Sequence, residues 1–144
     1  MAIITGGKHF GQYTHEHWFD HEYWNMNDIT IDVLKTDEID IASNMIKAIF
    51  DEFVGKDYSE EGNKTFKDYI KPQNILTRFK EKSSKFLTAK YGNEIIGILE
   101  IKNRDHISLF FIKKEFHGKG IGKKIFKYYL RNIKNENSGI KTQK

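Results

Sequence analysis

The chain has no cysteine among its 144 residues. Disulfides, thiolate metal sites and thiol nucleophiles are therefore excluded. Proline occurs once, at position 72, so glycine and polar clusters do most of the punctuation. No apolar run is long enough to span a membrane, and no signal peptide is visible. The default expectation is a cytoplasmic protein. Neither charge sign dominates: 24 basic and 20 acidic residues give +4. The local excess lies between Lys113 and Lys134 and suits an anionic ligand as well as nucleic acid. No internal repeat and no interdomain linker is evident. What is present is 38% hydrophobic and 14% aromatic residues, enough for one packed domain of this length.

Two regions are distinguished, 1–28 and 29–144. The first holds four of the six histidines and both tryptophans. Ile3–Phe10 reads as a small hairpin around Gly6-Gly7. His17 and His21 would share a helix face at i, i+4 and could hold a metal. No third ligand is fixed by spacing, so no metal site is assigned. The segment reads instead as an aromatic stretch that packs on the domain or a partner chain, or as leader sequence.

From Ile29 to Lys35 apolar and polar residues alternate as in a strand. Thr36-Asp37-Glu38 reads as an N-cap with an acidic first turn. Ala42, Met45, Ile46, Ile49 and Phe53 then mark one helix face, which Gly55 ends. Phe66, Tyr69 and Ile70 belong to a second helical run, broken at Lys71 by Pro72. Ile75, Leu76 and Phe79 form a third, closed by Lys80–Ser84. Phe86–Tyr91 and Glu94–Lys102 read as a hairpin around Gly92-Asn93. His106–Ile112 is a strand, apolar on both faces towards its end and hence expected to be central. Ile121, Ile125, Phe126, Tyr129, Leu130 and Ile133 make a wide helical stripe, and Asn135–Gly139 end the helix. Ile140–Thr142 could begin another strand.

Between the strand and that helix stands His117-Gly118-Lys119-Gly120-Ile121-Gly122-Lys123. Strand, glycine-rich basic loop and helix is an arrangement that binds phosphate groups. The glycines admit a ligand to the backbone, the amides point at it, and the helix start adds positive potential. Lys119, Lys123 and Lys124 add charge. The loop follows an antiparallel meander and lacks Gly-Lys-Ser/Thr, so neither a dinucleotide fingerprint nor a P-loop fits.

The order of elements and this loop together resemble the GCN5-related N-acetyltransferases (GNAT). Their loop reads Arg/Gln-x-x-Gly-x-Gly/Ala. Gly120 and Gly122 match it, and His117 departs at the first position. The resemblance spans about residues 29–142. It implies an α+β fold with a mixed, mostly antiparallel sheet flanked by helices. It also implies acetyl-CoA as co-substrate and a small-molecule or peptide amine as acceptor. Backbone amides of His117, Gly118, Lys119, Gly120, Ile121, Gly122 and Lys123 would hold the pyrophosphate. The backbone of Phe110, Phe111 and Ile112 would pair with the pantetheine arm as an added strand, their side chains being core. Asp57, Tyr58, Glu60 and Glu61 lie where the family's acceptor loop lies, although an acidic helix start reads equally well.

Acyl transfer to an amine needs a base and an acid. The strand Ile107–Ile112 carries no carboxylate. Glu100 lies on the face of Ile96 and Ile98. It reads first as a strand-end residue in solvent and second as a base. His106 reads first as structural and second as a proton acceptor. Family members continue past Thr142 with a further strand, a helix bearing a tyrosine proposed to protonate the thiolate, and two more strands. The sequence thus reads as a domain lacking its C-terminal part: either it is truncated, or another chain completes the sheet, or residues 1–28 cover it, with completion by a second copy in a homodimer the leading expectation. The leading expectation is an acetyl-CoA-dependent N-acetyltransferase. A non-catalytic CoA-binding or regulatory module is the alternative. A nucleic-acid-binding domain is weaker, because the lysines alternate with a core-facing stripe.

Overall fold

In the computed structural model, which describes residues 2–3 and 28–134, five strands form one sheet. They are β1 (Ala2–Ile3), β2 (Ile29–Val33), β3 (Ser84–Tyr91), β4 (Glu94–Lys102) and β5 (His106–Ile112), in the order β1–β5–β4–β3–β2. Pairing is antiparallel from β2 to β5 and parallel between β1 and β5. The helices are α1 (Ile39–Phe53), α2 (Glu60–Tyr69), α3 (Pro72–Glu81) and α4 (Ile121–Tyr128). The expected hairpin at Gly6-Gly7, the His17/His21 pair and the strand at Ile140–Thr142 lie outside the described residues.

Local chemistry explains the element ends. β2 stops two residues short of the expected Lys35. Thr36–Glu38 is a 3₁₀ turn in which the Glu38 carboxylate, and not the Thr36 hydroxyl, does the capping: it accepts from the Lys35 amide at 2.9 Å. The α1 stripe buries Ile39, Ala42, Met45, Ile46, Ile49 and Phe50, while Phe53 is half-buried. Ser59 caps α2 by accepting from the Gly62 amide at 2.9 Å, with Glu60 and Glu61 favourably placed in the first turn. Pro72 is the first residue of α3, where a missing N–H costs nothing, and it holds Lys71 extended. Ser43 of α1 donates to the Ile70 carbonyl at 2.6 Å, tying this junction to α1. Lys82 ends α3 in the left-handed region at φ 62°.

The sheet divides the core. On one face α1–α3 pack over Phe86, Ile95, Ile98, Leu109 and Phe111. On the other, α4 packs over Leu87, Ala89, Ile96, Leu99, Ile101, Phe110 and Ile112. Two bulges interrupt the alternation. Ala89 faces Gly97 while Lys90 faces Ile95, which makes Ile96 an extra residue. Glu100 faces Leu109 while Ile101 faces Ile107, which makes Ser108 extra. Ile96 therefore joins the α4 face, so Glu100 shares the face of Ile98 but not that of Ile96. β4 is the middle strand, and β5, expected to be central, lies inside the sheet as β3 does, buried on both faces towards its end and flanked on its outer side, among the described residues, by two residues of β1. The expected end of the last helix at Asn135–Gly139 lies outside the described residues; the helix continues to Lys134, the last of them, with Tyr129–Lys134 widening into a π-helical turn. There the Tyr129 hydroxyl donates to the Arg104 carbonyl at 2.7 Å. That contact secures a tight β4–β5 turn in which Asn103 and Arg104 both have positive φ.

Candidate functional site

The glycine loop lies at the C-terminal end of β5, after a 3₁₀ turn at Lys114–Phe116. That turn is fastened on both flanks. Lys113 Nζ bonds Glu94 at 2.5 Å, and Lys114 Nζ bonds Glu52 of α1 at 3.0 Å. His117 does not point outward as the first motif position would suggest. It is buried, and its Nε2 donates to the Ile112 carbonyl at 2.7 Å, so its ring pins the loop to the strand it follows. Gly118 and Gly120 adopt φ of 75° and 82°, a region that costs other residues roughly 1–2 kcal/mol. A Cβ on Gly118 would meet nothing within 4 Å, so that glycine is required by conformation and not by crowding.

Gly122 has a different reason. A Cβ there would come within 2.5 Å of Phe110 Cζ, so this motif glycine lets α4 settle on the Phe110 ring. The side chains of Phe110, Phe111 and Ile112 are core, as expected. A cavity of about 330 Å³ opens over the loop, lined by Phe110, Ile112, Gly118, Gly120, Gly122 and Lys123 among others. Ile121 lines it too, while Lys119, half-buried, does not. Lys124 turns away to donate to the Ile29 carbonyl at 2.5 Å, and so is not one of the loop's outward charges. A helix start with left-handed glycines beside a basic rim fits an anionic group. On the outer edge of β5, Ala2 and Ile3 lie beside Leu109 and Phe110. Of the three strand-end residues, only Phe111 and Ile112 lie past this pairing.

At the other end of β5 is a larger cleft, about 640 Å³, between α2 and the strand ends. Tyr58, Phe66, Tyr69, Lys102, His106 and Ser108 line it, with Glu61 at the α2 start. The acidic loop singled out in the sequence thus contributes Tyr58 and Glu61 to a wall. His106 is exposed at the start of β5. The bulge places Ser108 on the cleft wall together with Tyr69.

Beneath this cleft lies a network the sequence reading missed. Glu100 is not a strand-end residue in solvent: it is fully buried. Arg78 grips it with Nε at 2.8 Å and Nη2 at 3.2 Å. Ser84 Oγ donates at 2.6 Å, and the Tyr69 hydroxyl lies 3.2 Å from both carboxylate oxygens. The Arg78 guanidinium also lies 3.6 Å from the Tyr69 ring centroid. The Glu100 oxygens are engaged by these donors with no surface exposed, and the carboxylate holds the Tyr69 hydroxyl in place. Burial raises the Tyr69 hydroxyl above the ordinary tyrosine value; the nearby Ser108 hydroxyl opposes that rise and the Glu100 charge adds to it. Tyr69 is therefore a neutral, oriented hydroxyl at neutral pH. One signal was available in the sequence: Glu100 interrupts the apolar run Ile95–Ile101, and a carboxylate there implies a buried partner.

Comparison with known proteins agrees with the geometry. The family profile described as acetyltransferase (GNAT) domain matches residues 54–143. A PaiA N-acetyltransferase from Thermoplasma acidophilum, solved in complex with coenzyme A, superposes with a TM-score of 0.63 at 19% identity, covering 76% of this chain and 74% of that one. A GCN5-related N-acetyltransferase from Rhodopseudomonas palustris gives 0.61 at 15% identity, covering 76% and 67%. A predicted acetyltransferase from Clostridium acetobutylicum, solved with acetyl-CoA, gives 0.56 at 13%, covering 76% and 75%. At these identities the structures speak to the fold alone. Comparison with curated proteins returned no match. The family profile covers more than half of the chain, and the strand–loop–helix it contains is the one built around Gly120: the chain belongs to the GNAT acetyltransferase family.

Proposed function

We propose that this chain is an N-acyltransferase that transfers an acetyl group from acetyl-CoA to a primary amine. The observation that carries the reading is the His117–Lys123 loop at the start of α4, with its two left-handed glycines over a 330 Å³ cavity, in a chain of this family. Bound there, the co-substrate supplies an activated acyl thioester. The amides of residues 118–123 would hold its pyrophosphate, with Lys123 on the rim; the His117 amide, expected to take part, already donates to the Lys114 carbonyl at 3.1 Å. The edge backbone of Phe111 and Ile112 would take its pantetheine arm, and Phe110 would join only where β1 leaves the edge.

The chain's own groups set the remaining chemistry. The cleft beside Ser108 and Tyr69 would receive the acceptor. The hydroxyls of Ser108 and Tyr69 would orient its nitrogen. His106 stands exposed at the mouth of the cleft. Glu100 supports this site from below by holding the Tyr69 hydroxyl.

Calorimetry with acetyl-CoA and a thiol-release assay over a panel of amines test the reading. Binding and release are expected, and Gly120→Val should abolish both while the far-UV spectrum is retained. Full binding by Gly120→Val would place the pyrophosphate elsewhere. A non-catalytic CoA-binding module is the second reading. One observation favours it: the carboxylate nearest the cleft floor, Glu100, is sealed in an ion pair. Binding without thiol release from any amine would select it.

A further inference from the structure

We infer that the acceptor carries a carboxylate beside its amine, as a free amino acid does, and that Lys102 with His106 holds that carboxylate. The inference rests on the acyltransferase reading and specifies the substrate class of the same cleft.

Lys102 is the last residue of β4 and is registered against His106, the first of β5. Both line the 640 Å³ cleft. Lys102 is half-buried, and its Nζ lies 5.9 Å from the Tyr69 ring centroid. Among the described residues no carboxylate lies within ion-pair distance of it. Glu100, the acid beneath the cleft, is engaged by Arg78. Glu61 lines the cleft, but it precedes Tyr69 by eight residues on α2, which is ~12 Å along the helix axis. It makes no ion pair with Lys102. What remains is a partly desolvated cation next to an imidazole in a concave wall, an arrangement that attracts an anion.

The position of that cation relative to the transfer site narrows the ligand. Ser108 lies two residues along β5 from His106, roughly 7 Å. It lies between the cation and the strand end assigned to the co-substrate. An amine at Ser108 and Tyr69 thus has its anionic group within one short carbon spacer. That separation suits an amino carboxylate. A polyamine or other cationic amine would instead set a second ammonium against Lys102, which disfavours it.

The test uses pairs of acceptors that differ only by the carboxylate: alanine and ethylamine, phenylalanine and phenethylamine, lysine and cadaverine. In each pair the amino acid is expected to show at least tenfold higher kcat/KM. Lys102→Gln should bring the ratio close to one, and Lys102→Arg should keep most of it. Equal or better turnover of the decarboxylated amines, or a ratio unchanged in Lys102→Gln, would overturn the inference. Far-UV circular dichroism checks that the variants are folded. Absence of acetyl-CoA binding would instead sink the acyltransferase reading. An NMR titration of the chain alone with the same pairs decides the inference even then. Amide shifts at Lys102 and His106 with the amino acid but not the amine support it, and equal or absent shifts refute it.

Discussion

Removing the guanidinium from Arg78 should be the most damaging single change to this fold. Glu100 is fully buried and receives two charged hydrogen bonds from Arg78, at 2.8 and 3.2 Å. Arg78→Met keeps the aliphatic volume but strands a carboxylate among Tyr69, Ser84 and the α3 core. Breaking a buried pair from one side costs about 3–5 kcal/mol, because the remaining charge has lost its partner and cannot reach water. For a domain of this size that corresponds to a fall in Tm on the order of 10–15 °C. The double variant Arg78→Met/Glu100→Met removes both charges. It should recover most of that loss, as buried ion pairs and well-packed apolar replacements are often near parity. Urea denaturation followed by circular dichroism on the wild type, both single variants and the double gives the coupling energy. We expect at least ~2 kcal/mol of non-additivity. A loss below ~1 kcal/mol for Arg78→Met, or a double variant as unstable as the summed singles, would show that Glu100 is solvated and that the network does not hold Tyr69.

Other substitutions probe separate contacts. Gly122→Ala places a methyl within 2.5 Å of Phe110 Cζ and should cost about 1–3 kcal/mol by overpacking; Phe110→Leu should restore part of it in thermal melts. Ser43→Ala frees the buried Ile70 carbonyl from a 2.6 Å hydrogen bond and should cost about 1–3 kcal/mol in the same urea assay. Glu38 is partly desolvated, which raises its pKa, but the Lys90 and Lys35 contacts outweigh this and leave it lowered. A carboxylate with a lowered folded pKa adds stability above its unfolded pKa and loses it as pH falls through the folded value. The stability gap between wild type and Glu38→Gln should therefore be complete at pH 7 and close below about pH 4; a gap that persists at pH 2.5 refutes this. Tyr69 should ionise late in an alkaline absorbance titration, and Tyr69→Phe should remove a late step; loss of an early one would contradict its burial.

Much of the architecture could be read locally, because local signals build it. Pro72 marks the start of α3, Gly92-Asn93 turns the hairpin, and the α1 stripe repeats at helical spacing. The glycine loop was legible for the same reason: its residues are contiguous. The Tyr69–Arg78–Ser84–Glu100 network was not. Its members come from α2, α3, β3 and β4, and each looks ordinary in its own neighbourhood. The bulge at Ser108 was hidden too, since a one-residue offset between paired strands leaves no mark in either strand alone. Gly122 has a second reason that the motif does not spell out: it lines the cavity, and its missing Cβ also lets α4 settle on the Phe110 ring.

The fastening of the turn before the loop bears on how salt acts on this protein. Lys113 and Lys114 are already engaged by Glu94 and Glu52. Those two carboxylates are resident counter-ions. A polyphosphate arriving at the loop would exchange partners with them and not meet bare cations, so fewer mobile ions are released than the number of lysines suggests. The dependence of affinity on ionic strength should then be shallower than a lysine count implies. Raising salt would loosen the turn's anchorage at the same time as it screens the ligand.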